Sequence, residues 1–268
     1  MQVNENTLTI ITPDFITQRA SNLANLKVTV VGAGGTGSQV LAKLFQLNNI
    51  AHALTGEYFQ VEVYDPDTVS AANIGRQAFY PFDIGKNKAE VLVNRFVAFS
   101  NQPWEAHPET FDPKIDSYSH HTKRIIFGCV DTVRARKIIH ATFANANDCI
   151  WIDCGNDANS ANVIMGINAL IENQRTYIPT VYDLYKQQMD TDPDTNVESC
   201  SAEDAINKQD FGINDMAAAY AVQMFWQLLR HGQCEYQGVQ IDLSTGETHA
   251  IKPDPDLWAM YGWEPSVH

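Results

Sequence analysis

A short stretch of this chain concentrates side chains that bind phosphate. Between Asp65 and Lys88 stand the cations Arg76, Lys86 and Lys88, together with the amides Asn73 and Gln77. An arginine guanidinium forks onto two phosphate oxygens, and a lysine ammonium acts as a compact positive charge. A dinucleotide site neutralises its pyrophosphate with backbone amides and a helix end, so it has little use for so many cations. The set therefore favours a triphosphate, ATP, over NAD.

A glycine-rich loop precedes this stretch. The apolar run Val28–Val31 predicts a buried parallel strand, and residues 38–46 after the loop predict a helix. Glycines allow a tight turn and let backbone N–H groups approach a phosphate at the positive end of that helix. The glycines concerned are Gly32, Gly34, Gly35 and Gly37. Alternatively, these glycines could serve only to form backbone turns.

Three carboxylates complete the predicted nucleotide site. Asp65 ends a second predicted strand, Val61–Tyr64, and could accept hydrogen bonds from ribose hydroxyls, with Asp67 close behind. Residues 48–60 are interpreted as an insertion that lengthens the path to this strand. Asp131 follows another apolar strand, and a carboxylate opposite a triphosphate suits Mg²⁺. Asp65 and Asp131 could instead be ordinary caps at strand and helix ends.

Five spaced motifs resemble those of the ThiF/MoeB/ubiquitin-activating superfamily. They are G-x-G-G-x-G at 32–37, D-x-D-x-V at 65–69, N-x-x-R-Q at 73–77, D-I-G-x-x-K at 83–88, and Cys129-Val130-Asp131 with Arg136 further on. The match is good over residues 27–140 and loose elsewhere. The sequence is most similar to the ThiF-like proteins of the bacterial PRTRC gene system, judged from GGTGSQVL, DPDTVSAANIGRQ and the closing I-x-P-x-P-x-x-W.

The resemblance implies an ATP-dependent adenylyltransferase that activates the C-terminal carboxylate of a small ubiquitin-like protein ending in glycine. It also implies a homodimer. Beyond the glycine loop, the side chains that it places on the nucleotide are Asp65, Asp67, Asn73, Arg76, Gln77 and Lys88. The D-I-G-x-x-K register selects Lys88 rather than Lys86, and Asp131 is implied as the Mg²⁺ ligand.

One cysteine is a candidate for receiving the activated carboxyl group. The resemblance makes residues 180–212 a crossover loop above the substrate's C-terminal tail, and the polar, acidic segment 187–196 predicts a surface loop. Cys200 lies in the crossover segment 180–212, whereas the other cysteines lie in or beside apolar strands or behind a helix end. Nearby acidic residues oppose a thiolate at Cys200, so a structural cysteine is the alternative.

Composition limits the class of protein. The 268 residues are 44% hydrophobic, enough for a substantial core, and the formal charge of −14 argues against nucleic-acid binding. No membrane-length apolar run or basic apolar leader occurs in the sequence. The five cysteines form neither a disulfide framework nor a C-x-x-C pair. These features predict a cytoplasmic protein that binds neither nucleic acid nor membrane.

Alternating strands and helices predict the fold. They indicate an α/β, Rossmann-like domain over residues 1–268, with a mostly parallel sheet and helices on both faces. Residues 162–167 are expected in an antiparallel extension, as the resemblance suggests. Asn214–Arg230 predicts an apolar helix, and a hairpin follows it.

Three departures from the family keep other functions open. The missing C-x-x-C pairs predict that no zinc is bound. Arg19 is the only arginine before the glycine loop, so the family's N-terminal arginine pair has no matching copy, and Thr132 stands where Asn is usual. A non-catalytic module that binds ATP and a partner is therefore one alternative. An NAD-linked oxidoreductase is a weaker one, because no proton-transfer residue stands out.

Overall fold

The protein is built on one large mixed sheet. The computed structural model describes residues 7–17, 23–112, 123–192 and 209–264. Within them, nine strands form the main sheet, and two short strands, β1 and β9, pair separately. The strands are Ile10–Ile11 (β1), Lys27–Val31 (β2), Gln60–Tyr64 (β3), Trp104–His107 (β4), Arg124–Gly128 (β5), Cys149–Asn156 (β6), Ser160–Ile171 (β7), Gln174–Ile178 (β8), Gln233–Cys234 (β9), Gly238–Asp242 (β10) and Glu247–Ile251 (β11).

The parallel part of the sheet creates a ligand-binding crevice. Its strands lie in the order β4-β3-β2-β5-β6 and are all parallel. The chain moves outward from β2 through β3 to β4, then returns to the other side of β2 for β5. In open α/β sheets, ligands bind at the carboxyl ends of the strands where the strand order reverses. The residues that follow β2 and β5 therefore face the expected site.

The remaining strands extend the sheet in antiparallel fashion, as predicted. β7 pairs antiparallel with β6, β10 with β7, and β11 with β10, while β8 forms a hairpin with β7. The predicted strand at 162–167 is the middle of the longer β7. The Rossmann-like α/β fold with an antiparallel extension is confirmed.

Helices cover the two faces of the sheet. They are Asp14–Thr17 (α1), Gly35–Thr55 (α2), Lys88–Val97 (α3), Val133–Asn145 (α4), Val181–Leu184 (α5), Lys186–Thr191 (α6), Ile213–Trp226 (α7) and Pro255–Met260 (α8). α2 and α7 pack on each other, and α7 also contacts β6 and β7. α4 connects β5 to β6. These two strands are added to the sheet on the side of β2 that is opposite to β3. A right-handed crossover therefore puts α4 on the other face.

Helix α2 is longer than the sequence pattern predicted. Residues 48–60 are not an insertion, because α2 continues without interruption through Thr55. No glycine or proline occurs between Ser38 and Thr55, and the helix ends at Gly56 in the left-handed conformation. Buried Leu47 and Ala51 keep this extra length packed on the core.

The proposed crossover segment 180–212 is partly helical. α5 and α6 occupy its first part, so the surface loop predicted at 187–196 is wrong as far as Thr191. Cys200 and Arg19 lie outside the described residues. No helix in the described ranges combines the length and apolar character needed to cross a bilayer.

Candidate active site

The glycine loop after β2 is held by close backbone contacts. Gly32 has φ +92°, and a Cβ there would overlap the Cys129 carbonyl. At Gly37 a Cβ would lie 2.8 Å from the Gly32 carbonyl carbon and closer still to its oxygen, and at Gly35 it would lie 2.8 Å from Asn214 Nδ2. These three positions therefore need glycine for packing inside the protein.

Gly34 differs from the other three glycines. Its Cβ would find the Gln77 side chain as nearest neighbour, at 3.8 Å, which is ordinary van der Waals distance. Gly34 is also the N-cap of α2, and no side chain caps that helix end among the described residues. The first N–H groups of α2 thus offer the partial positive charge that attracts anions. The space beside Gly34 suits a phosphate.

Asp65 ties the glycine loop to the next loop. One carboxylate oxygen accepts a hydrogen bond from the Ala33 N–H at 2.6 Å, and the other accepts one from the Asp67 N–H at 2.8 Å. Burial raises the pKa of Asp65, and the Ala33 hydrogen bond and the charge of Lys88 oppose that rise. Asp65 is therefore more than a strand-end cap. Each oxygen has a further lone pair that could accept from a ribose hydroxyl.

The two lysines of the D-I-G-x-x-K stretch occupy different environments. Lys88 is 7% exposed, and its ammonium lies 2.9 Å from an Asp67 carboxylate oxygen. Lys86 is exposed, with its ammonium 5.3 Å from the centre of the Phe82 ring. Only Lys88 is held in the group of residues around Asp65.

Arg76 and Gln77 carry buried polar atoms without partners. The described residues provide no hydrogen-bond partner for Arg76 Nε or Gln77 Oε1, although both atoms are buried. Burial lowers the pKa of Arg76, and the nearby charge of Asp131 opposes that effect. Unsatisfied buried polar groups are costly, so these atoms are ones that a bound ligand would stabilise. Arg76 Nε is a donor that a phosphate oxygen could satisfy, whereas Gln77 Oε1 is an acceptor and needs a donor from a ligand. The Gln77 NH₂ group, 3.8 Å from a Cβ placed at Gly34, is the part of that side chain that could donate to a phosphate.

The Asn73 side chain makes hydrogen bonds within the protein that the sequence did not suggest. Its side-chain oxygen accepts from the Ser70 N–H at 2.8 Å and from the Ser70 hydroxyl at 3.2 Å. Asn73 therefore shapes the turn that leads to Arg76. Only its amide NH₂ group could donate to a phosphate.

Asp131 immediately precedes the residue that caps α4. The Thr132 hydroxyl accepts from the Ala135 N–H at 3.2 Å, so Asp131 is not the helix cap. Asp131 is exposed and close enough to Arg76 to influence its charge. A carboxylate in this position is able to hold Mg²⁺ beside a triphosphate.

A buried ion pair supports the Asp131 loop. Arg136 Nε lies 3.1 Å from one Asp153 carboxylate oxygen, and Arg136 Nη2 donates to the Val130 carbonyl at 2.9 Å. Asp153 is 2% exposed, and burial raises its pKa while Arg136 lowers it. The pair fixes the backbone immediately before Asp131.

A network of amides beside the glycine loop was not predicted from the sequence. Gln209 Oε1 accepts from Arg76 Nη1 at 2.6 Å, and Gln209 Nε2 donates to Asn156 Oδ1 at 3.1 Å. Asn156 Nδ2 donates to Asn214 Oδ1 at 2.6 Å and to the Thr36 hydroxyl at 3.0 Å. The only advance signal was that Asn156 follows a strand at the carboxyl edge of the sheet. Gln209 and Asn214 belong to no sequence motif.

Three of the described cysteines are poor nucleophiles. Cys149, Cys154 and Cys234 are buried, and burial contributes to a raised pKa in all three, to about 12 for Cys149. Their thiols therefore stay protonated near neutral pH. Cys200, the thiol predicted to react, belongs to a part of the chain that the structure does not describe.

One group of possible metal ligands lies elsewhere in the described residues. Glu62, Glu105 and His107, on β3 and β4, have ligand atoms within 4.8 Å of one another. Glu62 already forms an ion pair with Lys27, which neutralises it. This group contains no cysteine.

The fold is an open α/β sheet with a glycine-rich loop at its carboxyl edge, and sequence comparison identifies the family. The chain belongs to the ThiF family, whose sequence model matches residues 7–257. This confirms the family that the motifs resemble.

Several curated relatives are similar to parts of the chain. It is 32% identical over 138 residues to the NEDD8-activating enzyme E1 catalytic subunit of Dictyostelium discoideum, which covers 48% of this chain and 28% of that protein. The corresponding subunit of Saccharomyces cerevisiae is 30% identical over 169 residues, covering 59% of this chain and 54% of that protein. Ubiquitin-like modifier-activating enzyme 5 of Dictyostelium discoideum is 28% identical, covering 54% and 39%. The chain thus spans about half or less of the length of these relatives.

Solved structures support the fold. A structure of E. coli MccB with MccA-N7isoASN has a TM-score of 0.59 and 16% sequence identity, covering 88% of this chain and 66% of that one. E. coli MccB with ATP has a TM-score of 0.54 and 18% identity, with the same coverage. At this level of identity the likeness concerns the fold.

Proposed function

We propose that the protein is an ATP-dependent adenylyltransferase that activates the C-terminal carboxylate of a small ubiquitin-like protein. The observation that carries the proposal is the buried donor Arg76 Nε, which has no partner among the described residues, next in sequence to Gln77, whose NH₂ group lies beside the open position at Gly34. Membership of the ThiF family and similarity to NEDD8- and ubiquitin-like modifier-activating enzymes support the choice of substrate.

The proposed roles follow the order of the loops along the sheet edge. The Gly34 and Gly35 amides line the nucleotide, and Asp65 accepts from the ribose. Asp67 holds the Lys88 ammonium in place. The side chains proposed to bind the phosphates are Asn73, Arg76, Gln77 and Lys88.

The reaction needs no general base. A substrate carboxylate is ionised at neutral pH, so one of its oxygens attacks the α-phosphorus of ATP. The bond from that phosphorus to the bridging oxygen breaks, pyrophosphate leaves, and an acyl-adenylate forms. Arg76 and Lys88 would stabilise the negative charge on the phosphates, which is the largest contribution expected from such a site. Mg²⁺, with Asp131 as its proposed ligand, would offset charge on the leaving pyrophosphate.

Several finer assignments also remain proposals. The motif resemblance favours the small ubiquitin-like protein of the PRTRC gene system as partner, and it favours a homodimer. Residues 1–268 are proposed as one adenylation domain in the cytoplasm, without zinc, nucleic acid or membrane as partners. Cys200 is proposed as the thiol that could receive the activated carboxyl group.

Ligand binding and pyrophosphate exchange test the proposal in sequence. Thermal shifts should show stabilisation by ATP with Mg²⁺ and none by NAD. The ubiquitin-like partner should then stimulate exchange of labelled pyrophosphate into ATP, and a partner lacking its C-terminal glycine should not.

Other outcomes of these experiments would support different functions. Stabilisation by NAD alone would overturn the proposal in favour of an oxidoreductase. Binding of ATP and the partner without exchange would identify a non-catalytic module. A reducible adduct that disappears in Cys200→Ser would support the thiol role. Pyrophosphate exchange without any adduct would mean that the reaction stops at the adenylate.

A further inference from the structure

The amide network beside the glycine loop converges on the arginine of the proposed phosphate site. Arg76 Nη1 donates to Gln209 Oε1 at 2.6 Å, the shortest hydrogen bond that Gln209 makes in the described structure. Arg76 Nε, on another edge of the same guanidinium, has no partner in the described ranges. Arg76 Nε is also buried, so a guanidinium held at one amine in this way keeps an unsatisfied Nε edge in a fixed direction, which suits a bidentate contact with an anion.

Gln209 is itself held in one orientation. Its oxygen also accepts from Asn214 Nδ2 at 3.3 Å, while its NH₂ group donates to Asn156 Oδ1 at 3.1 Å. Both the oxygen and the NH₂ group of the amide therefore make hydrogen bonds, and exchanging them by a flip of the amide would break these contacts. Gln209 cannot turn without releasing Arg76.

The network is anchored on the elements that form the site. Thr36 lies in the first turn of α2, Asn214 in the first turn of α7, and Asn156 at the end of β6. The Thr36 hydroxyl donates to Asn214 Oδ1 at 2.8 Å and accepts from Asn156. Asn214 can approach so closely only because Gly35 has no side chain.

Holding helices together does not require this network. Apolar side chains of similar size would join α2 and α7 equally well, and a polar group in such a place is stabilising only when its hydrogen bonds are made. Every amide atom of Gln209 is committed, and the chain of contacts ends on a cation. The arrangement therefore favours orientation of Arg76 over simple packing.

We propose that Gln209, supported by Asn156 and Asn214, is a positioning residue that orients Arg76 toward the phosphates of ATP. The inference rests on the proposed nucleotide site. Gln209 acts through Arg76 and does not itself contact the substrate. Its loss should therefore affect only ligands that carry phosphates.

Binding of two ligands separates positioning from general damage. The dissociation constants of ATP with Mg²⁺ and of adenosine are measured by calorimetry for the wild type, Gln209→Ala, Arg76→Ala and the double variant. Losing a hydrogen bond that orients a charged group should weaken ATP binding about tenfold in Gln209→Ala. Adenosine binding should change by less than about twofold, since it has no phosphate. Gln223→Ala, exposed on α7, is the matched control and should bind both ligands like the wild type.

The double variant gives the sharpest result. If Gln209 acts through Arg76, the double variant binds ATP no more weakly than Arg76→Ala, so the two effects are not additive. Full additivity, unchanged ATP binding in Gln209→Ala, or an equal loss for ATP and adenosine would each overturn the inference. Gln209→Met, which keeps the length without the amide, serves if Gln209→Ala does not fold. A wild type that binds no ATP would overturn the proposed function and this inference with it.

Discussion

Replacement by alanine should have different effects at two glycines of the same loop. It should reduce the stability of the protein at Gly37 and the affinity for ATP at Gly34. At Gly37 the new Cβ would lie 2.8 Å from the Gly32 carbonyl carbon, with backbone on that side that cannot move away. Overpacking of this kind should destabilise the fold by about 3 kcal/mol or more. For a protein of this size the thermal midpoint should fall by about 6–12 °C.

At Gly34 the same change meets no obstacle inside the protein. The nearest atom to the new Cβ is Gln77 Nε2 at 3.8 Å, but the backbone at φ −79° and ψ −139° lies outside the main regions that alanine prefers. Replacing glycine by alanine at this helix N-cap should therefore cost about 1–2 kcal/mol, less than the overlap at Gly37. The methyl group would, however, enter the space proposed for the phosphates, so ATP binding should weaken by about tenfold or more.

The assay combines thermal unfolding with calorimetric ATP binding on both variants. The expected pattern is a Gly34→Ala protein that stays folded but binds ATP poorly, and a Gly37→Ala protein that unfolds early. Wild-type ATP affinity in Gly34→Ala would refute the placement of the phosphates at this loop. Equal destabilisation by both changes would refute the loop geometry itself.

Three further perturbations test the charged groups. Lys88→Ala should lower pyrophosphate exchange by about 10²–10³ without unfolding the protein, the scale for one lost electrostatic donor, whereas exposed Lys86→Ala should leave exchange unchanged. Arg136→Ala leaves the Asp153 carboxylate buried without its partner, so urea unfolding should show a loss of about 3–5 kcal/mol; a loss near zero would contradict the buried pair. Burial lowers the pKa of His140, so the unfolded chain takes up this proton at higher pH than the folded one, and the contribution of the neutral imidazole is lost as pH falls below the unfolded value of 6.5. The drop in thermal midpoint between about pH 7.5 and pH 5 should therefore be smaller in His140→Gln, and an unchanged drop would contradict the assignment.

The order of strands and helices could largely be read from the sequence. Buried parallel strands such as Val28–Val31 are continuous apolar runs, and the glycine loop between strand and helix is a local pattern with a local cause. The choice of Lys88 over Lys86 was also available, because motif register alone separates them. Helix α2 was underestimated because its last two turns are only partly apolar, and their packing against the core decides that they are helical.

Tertiary structure alone decided how the site is held together. Asp65 was predicted to bind ribose, but its two hydrogen bonds to Ala33 and Asp67 depend on two loops meeting across the sheet edge. Gln209 and Asn214 are 133 and 178 residues from the groups that they contact, Arg76 and Thr36. Single amide side chains have no periodicity and no characteristic spacing, so nothing in the sequence distinguishes these two from solvated ones. The sequence determined which groups could bind a phosphate chain because that depends on residue type and local backbone, whereas the fold determined which other side chains orient them because that depends on distant segments packing together.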